Sequence, residues 1–138
     1  NRYEVARAEM LLERIDGGTP LSQTYPYPVS AWSIGDDLQF VTLGGEVVVD
    51  YAVRLKSELA GAKTWVAGYA NDVMAYIPSR RVLAEGGYEG GGAMVYYGLP
   101  TVWSPEIENE IVGEVHRQVE SVSNQGTREA VGQAAVKN

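Results

Sequence analysis

The residues with chemical capacity fall into three clusters: Gly44-Gly45-Glu46 followed by Asp50 and Arg54, the stretch from Gly68 to Tyr76, and Gly86-Gly87-Tyr88-Glu89-Gly90-Gly91-Gly92. Together they offer carboxylate and phenol oxygens beside backbone freed by glycine. Glu46, Asp50 and Arg54 are four apart, a spacing that puts them on one face of a helix and reads most simply as a solvated charge ladder. The glycine run, with Gly86, Gly87 and Gly90 at its heart, reads most simply as a flexible surface loop. It matches neither phosphate-cradling template, since GxGxxG after a strand and GxxxxGK[ST] are both absent. His116 is the single histidine, and it sits among Glu114, Arg117 and Gln118, so no serine–histidine–aspartate arrangement is built around it.

Composition narrows the field further. The absence of cysteine removes disulfides, thiolate metal sites and cysteine nucleophiles. A formal charge of -7, from 18 acidic and 11 basic side chains, lacks the positive field that drives binding to phosphate backbones, so no nucleic-acid partner is expected. No apolar run approaches the ~20 residues of a membrane span. A length of 138 residues suits one domain with a real core.

The elements that must position the clusters follow from periodicity. Val5, Ala8, Leu11, Leu12 and Ile15 among charged residues predict an amphipathic helix over 3–15, closed by Gly17-Gly18 and Pro20. The alternation in 29–34 and 38–43, around Gly35-Asp36-Asp37, predicts a hairpin. A helix is expected over 47–59, with Glu46 near its positive end, then strands at 64–69 and near 93–97. Pro105 opens a last helix over 106–121, with Ile107, Ile111, Val115, Val119 and Val122 on one face. The fold class is therefore mixed α/β, a three- to four-stranded sheet packed by about three helices. Residues 1–122 form the folded part, and 123–138 read as a flexible tail.

Four motifs in order give the chain a resemblance. Gly45-Glu46, Gly68-Tyr69-Ala70-Asn71, Tyr76-Ile77-Pro78-Ser79 and Tyr88-Glu89-Gly90 are similar to the last third of the catalytic domain of the neutral/alkaline non-lysosomal ceramidases. In that family a tyrosine follows the asparagine of the Gly-Tyr-x-Asn turn by five residues, and a Tyr-Glu step follows twelve later. Here Asn71 to Tyr76 is five and Tyr76 to Tyr88 is twelve. The resemblance covers 29–97, about half the chain.

The resemblance implies a larger α/β catalytic domain of which 1–122 is the C-terminal portion. It implies that Glu46 and Tyr76 ligate a catalytic zinc and that Tyr88 holds the carbonyl oxygen of the scissile amide as charge develops. The reaction would be zinc-assisted hydrolysis of the N-acyl amide of a ceramide-like, amphiphilic lipid. Carboxylate and phenolate oxygens are acceptable zinc ligands, and a neutral tyrosine can donate to an oxyanion. Asp50, where the family has an apolar residue, stands as a supporting partner or an alternative ligand. Arg54 remains from an arginine pair, and Asn71 supports the turn. The family's two histidine ligands lie upstream of the glutamate, and no histidine precedes His116 here. The implied zinc site is half present, so zinc should be weakly held or absent and the isolated chain inactive. Apolar faces meant for the remainder of such a domain would be exposed and could drive homodimerisation. The family's setting implies a secreted, periplasmic or membrane-associated address. Two other readings stand beside this one: a non-catalytic domain binding an amphiphile or polysaccharide, and a structural interaction module in which Tyr25, Tyr27, Trp32, Tyr96 and Tyr97 are core or interface residues.

Overall fold

The computed structural model describes residues 1–35, 37–59 and 63–134, with side chains through 123. Helix α1 spans Arg2–Asp16 and starts on Asn1, whose side chain accepts a hydrogen bond from the Tyr3 amide at 3.2 Å. None of its residues is buried, and Val5, Leu12 and Ile15 remain exposed. Strands β1 (Val29–Ile34) and β2 (Leu38–Leu43) form the expected hairpin, antiparallel from Val29↔Leu43 to Ile34↔Leu38. Gly35 turns the chain at φ +59, and Asp36 of the expected turn lies outside the described residues.

The middle of the chain departs from expectation. Glu46–Val47 forms a two-residue strand, β3, and helix α2 begins only at Val49 and ends at Glu58. Glu46 is therefore not on a helical face with Asp50 and Arg54. The backbone at Glu46 is committed elsewhere: its amide donates to Ala75 O at 2.9 Å. Strand β4 (Lys63–Ala67) pairs parallel with β2, which makes β2–α2–β4 a crossover unit. A second parallel pair joins β3 to β5 (Tyr76–Ile77), with Glu46 opposite Tyr76.

The expected strand near 93–97 is instead a 3-10 helix over Gly92–Tyr96, preceded by the short helices α3 (Arg80–Glu85) and α4 (Gly87–Gly90). Among the described strands none pairs with 93–97, and Gly91 leads the chain into helical geometry there. Helix α5 spans Ile107–Ala134, so helical backbone continues through much of the stretch read as a tail. Arg128, Glu129, Ala130 and Ala134 are helix formers that a search for an apolar stripe overlooks.

Helices α2 and α5 cover one face of the three-stranded sheet. The fully buried Val41, Leu43, Tyr51, Leu55, Ile77, Val112 and Val115 form the core with Ala31, Met94 and Ile111. Truncating a leucine there to alanine costs about 2–5 kcal/mol. The other face carries Trp32, Phe40 and Trp65 in direct register across the three strands. Their rings meet at 5.6 and 5.7 Å between centroids, yet Trp32 and Trp65 stay 46% and 63% exposed. Among the described residues the architecture is mixed α/β, with five α-helices, a three-stranded mixed sheet and the two-stranded pair β3–β5.

Candidate active-site cleft

Because β2 and β4 are parallel, their carboxyl ends emerge side by side, the usual place for a ligand crevice in an α/β sheet. The loops that follow, Gly44-Gly45 and Gly68 to Asp72, are stitched together. Tyr69 N donates to Gly45 O at 2.9 Å, Ala70 N to Leu43 O at 3.1 Å, and Gly45 N to Asp72 O at 2.7 Å. Gly45 has φ +69, and a Cβ on it would lie 2.7 Å from Ile77 Cγ1 and 2.8 Å from Ala75 O, so only glycine fits. Two aromatic side chains brace these loops from outside and a third braces β5. Tyr27 Oη donates to Gly44 O at 2.6 Å, Tyr25 Oη to Asp72 Oδ2 at 2.6 Å, and Trp103 Nε1 to the Tyr76 carbonyl at 2.8 Å. Burial pushes the Tyr27 phenol well above its ordinary range, so it stays a donor.

Beyond these loops opens a cleft of about 320 Å³, lined by Glu46, Asp50, Tyr69, Tyr76, Arg81 and Glu89 among others. The β3–β5 register sets Glu46 beside Tyr76. The Glu46 carboxylate lies within side-chain hydrogen-bonding reach of Tyr76 and Tyr69; it raises the Tyr76 phenol well above its usual range and pushes that of Tyr69 up to about 12. A phenol donating to a carboxylate would lose that bond on ionising, which is the cause of both shifts. The ring of Tyr88 meets that of Tyr76 edge-on at 5.4 Å between centroids, and Tyr88 is 57% exposed. Glu46 and Tyr76 thus line one cleft, while Tyr88, 42 positions after Glu46 in the chain, touches Tyr76 but does not line the cleft.

The supporting residues divide. Asp50 lines the cleft, but its oxygens are taken. Ser79 Oγ donates to Oδ2 at 2.5 Å, while Arg81 Nε and Nη2 donate at 3.1 and 3.0 Å. These bonds, from Arg81 first and Ser79 second, hold its carboxyl below the usual carboxylate range. A carboxylate so paired is not free to act as an alternative ligand; it anchors α2 to the start of α3. Arg54 is not a cleft residue: it pairs with Glu58 at 2.7 Å and Glu108 at 2.9 Å, tying α2 to α5. Asn71 is exposed at φ +68, a left-handed turn position that asparagine tolerates.

The glycine cluster is not an open loop. A Cβ on Gly90 would sit 2.6 Å from the Val82 carbonyl oxygen, and one on Gly91 2.6 Å from Val102 Cγ1, so close packing demands glycine there. Gly86 and Gly87, both at φ +74, instead turn the chain between α3 and α4. The result is the short helix that carries Tyr88 to Tyr76.

Tyr69 is the cleft residue that periodicity does not single out. Its φ of +56 is unusual for a bulky side chain and costs roughly 1–3 kcal/mol. The Gly-Tyr-x-Asn turn was its signal in the sequence.

Glu46 and Tyr76 are paired in register across β3 and β5, but no group of three His, Cys, Asp or Glu side chains suited to a metal occurs among the described residues. The donor chemistry fits part of a zinc site, since such sites take three or four protein ligands. No family model, curated protein or solved structure matches the chain.

Proposed function

We propose that this chain is a portion of a zinc-dependent amidohydrolase resembling the neutral ceramidases, acting on the N-acyl amide of an amphiphilic lipid. The observation that carries the reading is the pairing of Glu46 with Tyr76 across β3 and β5, with the Tyr88 ring against Tyr76. The Glu46–Tyr76 pairing and the Tyr76–Tyr88 ring contact, which no local pattern could have arranged, support the reading. Glu46 is turned neither toward Arg54 nor into the apolar core, as a structural module would have it.

In this reading Glu46 and Tyr76 would hold the metal. Zinc, when bound, supplies activation of water and polarisation of the amide carbonyl. Tyr88, exposed and against the Tyr76 ring, would donate from its phenol to the carbonyl oxygen as negative charge grows there. Two protein oxygens bind zinc weakly, so the chain by itself leaves a ceramide analogue intact. Calorimetric zinc titration of the chain tests the reading. Weak binding that Glu46→Gln and Tyr76→Phe each abolish, with the fold retained, supports it. Binding that survives both variants, or no binding at all, refutes it. Turnover of a ceramide analogue by the isolated chain would show that the site is complete within these residues.

A further inference from the structure

Among the described residues two apolar surfaces lie uncovered, and they are complementary in kind. The first is on α1, which rests on the 3-10 helix and the loop after it through one side only. There the Tyr3 and Tyr96 rings meet at 4.9 Å, Arg7 Nε donates to Leu99 O at 2.8 Å, and Met10 Cε lies 3.4 Å from a Cβ placed on Gly98. On the opposite side Val5, Ala8, Leu12 and Ile15, spaced alternately three and four apart, form an exposed stripe. The second surface is the sheet face turned away from α2 and α5, where Trp32, Ile34 and Trp65 are exposed around Phe40. Parallel strands joined by a crossover are normally covered by helices on both faces, and the β2–β4 pair has them on one. The bare face lacks a helix with an apolar stripe, and α1 is such a helix. We propose that the chain forms a two-fold dimer in which α1 of each copy lies across the aromatic sheet face of the other.

Charge selects this pairing over its alternatives. The α1 stripe is bordered by Glu4, Glu9 and Asp16, while Arg2 is held over the Tyr3 ring at 4.7 Å. Two such stripes laid together would set acid against acid. The chain has 18 acidic residues, yet the described strand residues of the aromatic face include none, and their one charge is Lys63. Two aromatic faces laid together would leave both α1 stripes bare. Helix on sheet covers both surfaces and brings acid to Lys63. Given what an exposed aromatic or long aliphatic side chain can bury, two reciprocal contacts remove on the order of 1,200 Å² from water, enough for a small stable interface. The contact is self-complementary and closes on itself, as a two-fold dimer requires.

Sedimentation equilibrium at several concentrations, with circular dichroism as the check on folding, tests the pairing. The expected result is a reversible dimer in the parent, with association weakened by about tenfold or more in Leu12→Glu and in Trp65→Glu alike. Both side chains are exposed in the single chain, so both variants should keep the fold. Should loss of the ring against Phe40 disturb the sheet, Ile34→Glu on the same face replaces Trp65→Glu. A monomer at every concentration overturns the proposal. So does a dimer that survives either folded variant: survival of the sheet variant means stripe on stripe, and survival of the helix variant means face on face. The chain has no cysteine, so a spin label on Glu13→Cys, beside the stripe, is unique. Mixed with isotopically labelled parent, it should broaden the indole N–H signals of Trp32 and Trp65 more than that of Trp103, which is bonded to the Tyr76 carbonyl. Broadening strongest at the α1 amides, or equal at the three indoles, overturns the pairing.

Discussion

The cleft has two walls, each built around a carboxylate, and the two are handled in opposite ways. On one wall Asp50 is neutralised by Arg81, bonded to the buried Ser79, and linked through Arg81 to Glu85. On the other, Glu46 lies with Tyr76 of β5 and with Tyr69 of a strained turn, beside two glycines that admit no side chain. A paired carboxylate ties two elements together, whereas one left without an ion partner at a cleft does little for stability. The three residues between them therefore separate a structural tie from a candidate site.

The comparison can be broken most forcefully at Gly45. Alanine there meets Ile77 and Ala75 and must take φ +69, so Gly45→Ala should cost about 3 kcal/mol in urea unfolding. A loss below ~1 kcal/mol would show that the Glu46 wall is not rigidly built. Next is Asp50→Asn. Arg81 is more than half exposed, which tempers the ion pair, so the expected loss is about 1 kcal/mol, with any zinc binding unaffected. If this variant instead abolished zinc binding, the division between the walls would fail.

Acid sharpens the same contrast. The carboxyls of Asp50 and Glu58 are held low in the folded chain, and that of Glu114 is lowered to about 2 by Arg117. A carboxyl with a depressed folded pKa contributes stability that is present above its unfolded pKa and lost as pH falls through the folded one. Urea midpoints should thus fall between about pH 4 and pH 2, and Asp50→Asn should flatten part of that slope. An identical slope in the variant would mean that Asp50 is not held as described. The smallest effect belongs to Tyr88→Phe. With an exposed phenol, the substitution should change stability by less than ~0.5 kcal/mol, which thermal unfolding would check.

Much of the fold was legible because it is local. The hairpin strands at 29–34 and 38–43 coincide with the expected ones, since their alternation reports one buried face directly. Helices α1 and α5 begin within a residue of the expected positions. The strands β3 and β5 were not legible, because two residues carry no period and exist only by pairing with each other. The same holds for 93–97, whose β-favouring Val95, Tyr96 and Tyr97 find no strand to join. Among the candidate site residues, Arg54 was misplaced by its regular spacing: it shares a helix with Asp50 but faces α5.

By itself the sequence determined the class of the fold, the absence of thiol chemistry, and the identity of the groups available for a site. Side-chain chemistry and short-range periodicity suffice for that. Only the tertiary structure decided which carboxylate is spent on an ion pair and which is left facing a cleft. That choice depends on where Arg81 and Tyr69 arrive after the chain has crossed the sheet, and contacts over such separations leave no local signature.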